Sequence, residues 1–333
     1  MPPRKQENQT KDSQRRKIEA LPPPPEFDYL KSPFPEHEGF PTFPSEFPTL
    51  PTPGQIFGLF FDVQVLDTIV ENTNAYAEEK LSAVDSVRPW VVLTTPELRI
   101  FFAIQIYMGI VKCPNIEMYW EPELKHAPFK YMSLVRYQQI KQFYHLSPPG
   151  ISLDKQHWYR KLEPIASLLR QRFQQYYFPS TNLSYDEMMI SFEGRSMHIV
   201  KQPNKPIDHG YKIWGLCDHG FTWAFLFYSG AVGNEVSEFT LQSKQYADLD
   251  KEKGMQVFKV KEGDRKAKRL EYLQFSSTYH AVCTLVFLLP FKNFPFNIYL
   301  DNLFTTIPLF HYLRMHGIGA AGTTRPGRPE FPS

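Results

Sequence analysis

Leu183-Ser184-Tyr185-Asp186-Glu187-Met188-Met189-Ile190-Ser191-Phe192 is the stretch on which the fold turns. It alternates imperfectly between apolar and polar residues, the period-two pattern of a β-strand with one buried face. Just upstream, Pro179-Ser180-Thr181-Asn182 breaks the preceding texture. Two more β-rich runs follow, Tyr211–Cys217 and Phe221–Ser229, split by the turn signal Asp218-His219-Gly220. The three runs predict an antiparallel meander. Farther on, Phe296–Asp301 reads as another strand and contains Tyr299-Leu300-Asp301-Asn302. Asp186 and Asp301 therefore sit on, or at the end of, two strands far apart in the chain. Strand-borne carboxylates from distant segments are a common way to hold divalent cations for phosphodiester chemistry.

Between these strands, Ser276–Leu289 predicts a helix stopped by Pro290, and Thr305–Met315 a helix closed by His316-Gly317. Ile318–Thr323 can add a last short strand. Upstream, residues 55–178 carry helical periodicity. Ile56, Phe57, Phe60 and Phe61 open an apolar face that Leu66, Ile69 and Val70 continue. Thr94-Thr95-Pro96-Glu97 is a helix start with a Thr cap and Pro in the first turn. Ser133 caps another, and Leu162, Ile165, Leu168, Leu169, Phe173 and Tyr176 form the clearest amphipathic stripe. Thirteen of the 30 prolines precede residue 54, which predicts an extended or disordered arm over residues 1–53. The expected organisation is that arm, a helical region at 54–179, and a mixed α/β core at 180–333 with a charged loop at 244–271.

Bulk properties narrow the function classes. A 333-residue chain that is 42% hydrophobic and 22% charged suits one large or two smaller globular domains. The formal charge of +2 names no partner, so any nucleic-acid contact must use local basic patches. Cys113, Cys217 and Cys283 are too few and too widely spaced for a disulfide framework or a thiolate zinc site, and core packing is the expected role of all three. His198, His209 and His219 lack a compact ligand spacing, so no zinc site is expected. The longest apolar runs, Phe101–Val111 and Ala281–Leu289, are too short to span a bilayer. P-loop, G-x-G-x-x-G and G-x-S-x-G motifs are lacking, which leaves nucleotide hydrolysis and α/β-hydrolase chemistry unsupported.

Several cations could meet phosphates. Arg195, Lys201, Lys205 and Lys212 flank the first strands, and Lys266, Lys268 and Arg269 lie in the charged loop. A solvated sheet face and an ordinary exposed loop are the competing readings. Arg4-Lys5 and Arg15-Arg16-Lys17 read either as a bipartite nuclear-localisation signal or as solvated tail charge.

The ordered series of motifs is more specific than any of its members. Asp186-Glu187-Met188-Met189 leads to Phe192-Glu193-Gly194-Arg195, then Asn204-Lys205-Pro206, Gly210-Tyr211-Lys212-Ile213-Trp214 and Leu216-Cys217-Asp218. Trp223 and Tyr228-Ser229-Gly230 follow, then Asp301-Asn302-Leu303-Phe304-Thr305-Thr306, then Gly319 and Gly322-Thr323-Thr324-Arg325. With Arg88-Pro89-Trp90, Tyr107-Met108-Gly109 and Tyr119-Trp120 upstream, the set resembles the transposase domain of the piggyBac superfamily, its fungal transposase-derived members in particular, from about Thr52 onward.

That resemblance implies an RNase H-like (DDE/D transposase) core preceded by a helical domain. It implies Mg²⁺ or Mn²⁺ at Asp186 and Asp301 as the first two of three catalytic aspartates, double-stranded DNA as partner, a homodimer, and a nuclear location. After Asp301 the chain holds one more acidic residue, Glu330. The third carboxylate is thus expected to be absent and the catalytic domain truncated, with little or no autonomous transposition. Glu187 should face away from Asp186, and Asp218 falls in a turn. The alternatives are a non-catalytic DNA-binding or chromatin-associated protein and a protein-interaction module.

Overall fold

The structure is a computed structural model that describes residues 34–82, 88–150, 158–203, 205–229 and 277–325. Lys266, Lys268, Arg269, Glu330 and the basic clusters near the N-terminus lie outside the described residues.

The described part of the proline-rich arm, residues 34–52, is largely without regular structure, and Phe40–Pro41 (β1) pairs antiparallel with Tyr177–Phe178 (β2). Prolines prevent a long ladder, but two paired residues and side-chain anchors suffice. The His37 N–H donates to Thr181 Oγ1 at 2.9 Å, the Thr181 N–H returns to the His37 carbonyl at 3.0 Å, and the His37 ring packs against Phe178, Phe294 and Phe296.

Among the described residues, six α-helices occupy the next stretch: α1 (Pro53–Phe60), α2 (Val63–Leu81), α3 (Thr95–Ile110), α4 (Pro128–Tyr131), α5 (Leu134–Phe143) and α6 (Glu163–Tyr176). Their starts are chemically marked. Thr52 and Gln55 form a capping box, Asp62 accepts from the Val65 N–H at 2.9 Å, and Ser133 accepts from the Arg136 N–H at 3.2 Å. Thr94 occupies the N-cap of α3 without a side-chain bond, while its neighbour Thr95 donates instead to Asp67 at 2.5 Å. Leu66, Ile69, Leu98, Phe101, Tyr137 and Ile140 are buried together between these helices. Each large side chain so removed from water contributes about 1.5–3 kcal/mol.

The sheet is built from β3 (Asn182–Ser191), β4 (Val200–Lys201), β5 (His209–Asp218), β6 (Phe221–Tyr228), β7 (Asn297–Leu300) and β8 (Gly319–Gly322). Its long strands run β6-β5-β3-β7-β8, with the short β4 alongside the free end of β5. β3 and β6 each pair antiparallel with β5 between them, whereas β7 and β8 run parallel to β3. The two-residue turn His219-Gly220 has φ of +47° and +84°, as a type I′ hairpin requires.

Helices cover both faces of this sheet. Ser277–Val286 (α7) and Ile307–Met315 (α8) pack on the face that buries Leu183, Tyr185, Trp214, Leu216, Ile298 and Leu300. Ala166 of α6 packs on the other face, against Ile213 and Phe225. Alternation along the strands therefore decides which residues the core claims and which stay available.

Candidate functional site

The parallel ladder between β3 and β7 pairs Leu183 with Ile298 and Tyr185 with Leu300, and there it ends. Asp186 and Asp301 are the next residues on each chain, at the same step. Tyr185 and Leu300 are buried, so the following residues project to the opposite face, and both aspartates are exposed. Neighbouring strands lie roughly 4.8 Å apart, close enough for two carboxylates to share one divalent cation.

Backbone groups steer both side chains. Asp186 Oδ1 accepts from the Glu187 N–H at 2.7 Å, and Asp301 Oδ1 accepts from the Leu303 N–H at 2.6 Å. The Asp301 carbonyl also accepts from Thr305 Oγ1 at 2.8 Å, which locks the turn into α8. Among the described residues, the second oxygen of each carboxylate has no hydrogen bond and no Lys or Arg ion-pairs directly with either aspartate. These two oxygens suit a hard cation. Among the described residues, no group of three or more His, Cys, Asp or Glu is placed to hold a metal ion.

Glu187 takes the opposite side of β3. Its Oε2 receives Lys212 Nζ at 2.6 Å and its Oε1 receives Lys205 Nζ at 3.1 Å. Burial would raise the Glu187 carboxyl, but the hydrogen bonds and charges of the two lysines outweigh it and hold the group below its ordinary value. Sheet geometry creates the contact: Glu187 pairs in register with Trp214, which makes Lys212 its diagonal neighbour. For Lys205, burial acts downward, the Glu187 bond acts upward, and the charges of Asp186 and Asp301 add to the rise.

The candidate phosphate-binding cations therefore separate. Lys212 is not on a solvated face: its side chain is 7% exposed and its ammonium is held by Glu187 and lies over the Tyr228 ring. The expectation of a surface lysine is corrected, because period two places residue 212 on the core face with Trp214 and Leu216. Lys205 is more open, with a side chain 39% exposed. Arg195 and Lys201 are exposed and, with Met197 and His209, line an open groove of about 650 Å³.

Asp218 is a structural anchor in this fold. Its carboxylate is buried and accepts from the Ser180 N–H at 2.6 Å, Ser180 Oγ at 2.8 Å and Tyr177 Oη at 3.0 Å, with His219 Nδ1 at 2.6 Å. Burial pushes this carboxyl up, but the bonds from Ser180, His219 and Tyr177 prevail and keep it low. A neighbouring cleft of about 360 Å³ is lined by His37, Asn182, Ser184, Cys217, His219 and Tyr299. The cysteines divide as well: Cys283 is buried in the core, but Cys113 and Cys217 are half-buried. Cys113 Sγ lies 3.5 Å from His126 Nε2.

Two features escaped the sequence reading. The docking of His37 rests on contacts with residues more than 140 positions away, and no local pattern announces it. The Glu187–Lys212 pair is likewise unannounced by any local pattern, because only the register of two antiparallel strands brings them together.

The chain is similar to known proteins. The sequence profile described as Transposase IS4 matches residues 52–333. PiggyBac transposable element-derived protein 2 of Homo sapiens is 27% identical over 287 residues, covering 84% of this chain and 41% of that protein. PiggyBac transposable element-derived protein 3 of Homo sapiens is 30% identical over 198 residues, 58% of this chain and 32% of that one. The chain thus spans less than half the length of these relatives. A piggyBac transposase, solved by cryo-electron microscopy as a synaptic complex with hairpin DNA, superposes with a TM-score of 0.61 at 23% identity, over 85% of this chain and 53% of its own. With the profile running through both the helices and the sheet, the chain belongs to the Transposase IS4 family and is a piggyBac-like, transposase-derived protein.

Proposed function

We propose that this chain carries the first two carboxylates of a metal-dependent DNA-processing site, Asp186 and Asp301, in an RNase H-like core. The observation that carries the proposal is their placement at one step of adjacent parallel strands, on the face turned from the core. The strand order adds support: three antiparallel strands, then a helix, the strand before Asp301, a helix and a fifth strand follow the succession that the family resemblance implies. A bound Mg²⁺ or Mn²⁺ would supply charge neutralisation at a phosphate and an activated water. The second carboxylate oxygens of Asp186 and Asp301, unbonded among the described residues, would hold it, and Glu187 would take no part because both of its oxygens are occupied by lysines.

Two carboxylates hold such an ion loosely, and loose placement defeats in-line displacement. The chain is accordingly read as ancestrally capable of DNA cleavage and strand transfer and catalytically incomplete over the described residues. Double-stranded DNA is the proposed partner, supported by the hairpin DNA of the solved relative and by the exposed Arg195–Lys201 groove. A homodimer and a nuclear location belong to the same reading.

The test combines Mn²⁺ titration with nicking and binding of duplex DNA over a range of salt. Mn²⁺ binding lost in Asp186→Asn, with weak or no nicking, is the expected result. Robust nicking abolished by Asp186→Asn would overturn the incompleteness. Absence of both Mn²⁺ and DNA binding at low salt would remove the reading. A second reading, DNA binding without metal, rests on the same groove and predicts salt-dependent binding that is indifferent to Asp186→Asn.

A further inference from the structure

We propose that Cys113 is a modification site for small soft electrophiles, a thiol activated by His126, which Tyr107 holds in place. The three side chains pack at the helical layer, away from the carboxylate pair, and the proposal does not depend on metal or DNA.

The geometry is that of an activated nucleophile. Cys113 Sγ lies 3.5 Å from His126 Nε2, and the other ring nitrogen, Nδ1, lies 3.0 Å from Tyr107 Oη. A thiol bonded to a base, with a third group orienting the far side of that base, is the arrangement that turns a weak nucleophile into a strong one. With Tyr107 Oη accepting from Nδ1–H, the Nε2 lone pair faces the thiol and takes its proton. The imidazolium so formed donates to the thiolate on one side and to Tyr107 on the other.

Both partners are fixed in advance. The Cys113 N–H donates to Tyr119 Oη at 2.9 Å, and that hydroxyl donates to the Val111 carbonyl at 2.6 Å, closing the loop that leaves α3. Lys125, at φ +53°, ends the short 3-10 turn Pro122–Leu124 and brings His126 in just before α4. The imidazole packs against the rings of Tyr107 and Tyr119, with centroids 6.0 and 5.5 Å away. Cys113 is half-buried, which admits a small reagent and disfavours a large one. Cys217 is set differently: its sulfur faces Thr222 Oγ1 at 3.9 Å, and burial pushes its thiol up. Cys283 is 3% exposed and shielded by the core.

Iodoacetamide is the probe. The sulfur–carbon bond forms as the carbon–iodine bond breaks, iodide leaves, and the thiol proton stays on His126 until water removes it. Alkylation of the full chain at neutral pH, followed cysteine by cysteine by mass spectrometry, is compared with the urea-unfolded chain. Burial alone can only slow a thiol below its unfolded rate. An unactivated thiol is a few per cent thiolate near neutrality, so activation is expected to make native Cys113 about five- to thirty-fold faster than unfolded. Cys217 and Cys283 should be slower than unfolded. His126→Gln, which keeps a polar side chain but supplies no base, should take Cys113 below its unfolded rate while Cys283 stays protected, the sign of an intact fold. Tyr107→Phe should slow Cys113 about three- to ten-fold, the worth of one hydrogen bond. Native Cys113 no faster than the unfolded chain, or unchanged by His126→Gln with Cys283 protected, overturns the proposal. If His126→Gln exposes Cys283 and so has lost its fold, a Tyr107→Phe rate equal to wild type overturns it instead.

Discussion

Asp186 and Asp301 stand side by side one residue beyond Tyr185 and Leu300, the last paired step of two adjacent parallel strands. Their side chains are exposed, so neither supports the core, and like charge at this spacing mildly opposes folding. Asp186→Asn is expected to leave Tm within about 2 °C of wild type without metal. Saturating Mn²⁺ should raise the wild-type Tm and leave that of the variant in place, since a ligand stabilises only the state that binds it. Differential scanning fluorimetry with and without Mn²⁺ measures both.

Glu187 and Lys212 make the opposite case, an ion pair with side chains 12% and 7% exposed. Glu187→Gln strands a buried ammonium and should cost about 3 kcal/mol in urea unfolding. Adding Lys212→Met to that variant should recover most of the loss, because it removes the unpaired charge. A double variant as unstable as the single one would contradict this account.

Asp218 links stability to pH. Its carboxyl is held below the ordinary value in the fold, so the folded chain binds fewer protons than the unfolded one as pH falls. The stabilisation is complete above the unfolded Asp value, about 3.9, and disappears as pH drops through the folded value. Asp218→Asn should lose about 2–4 kcal/mol at pH 7 and show a flatter stability profile between about pH 5 and pH 2. Urea midpoints across that range provide the comparison.

Gly210 lies where β3, β4 and β5 meet, paired with Ser191 on one side and Val200 on the other, at φ +154°. A Cβ there would fall inside the contact radius of the Ile190 carbonyl oxygen, a backbone atom that cannot swing aside. Gly210→Ala is expected to destabilise by about 3 kcal/mol or more. The soluble yield and Tm of the variant check this.

Tyr185 is 1% exposed and its hydroxyl has no hydrogen-bond partner among the described residues. The unmet group carries a desolvation cost while the ring packs edge-on against Phe304. Tyr185→Phe should therefore be neutral or stabilising by up to about 1 kcal/mol, which chemical denaturation can read. A clear loss of stability would reveal a buried partner for the hydroxyl.

Local chemistry made much of this protein legible. The alternation from Leu183 to Phe192, the Ser133 cap, the Asp218-His219-Gly220 turn and the Gly317 that follows α8 each act over two to four residues, so the sequence by itself determined those elements. Its ordered motifs also determined the family. Other features depend on contacts between distant segments. Asp186 meets Asp301 because β3 and β7, more than 100 residues apart, pair in one register; a slip of one residue would turn one carboxylate into the core. Lys212 lies inside because its register on β5 puts it beside Glu187, on the sheet face that α7 and α8 cover. The proline-rich arm joins the fold at His37 through Thr181 and three aromatic rings. Only the tertiary structure decided these relationships, since burial and register depend on which distant surfaces meet.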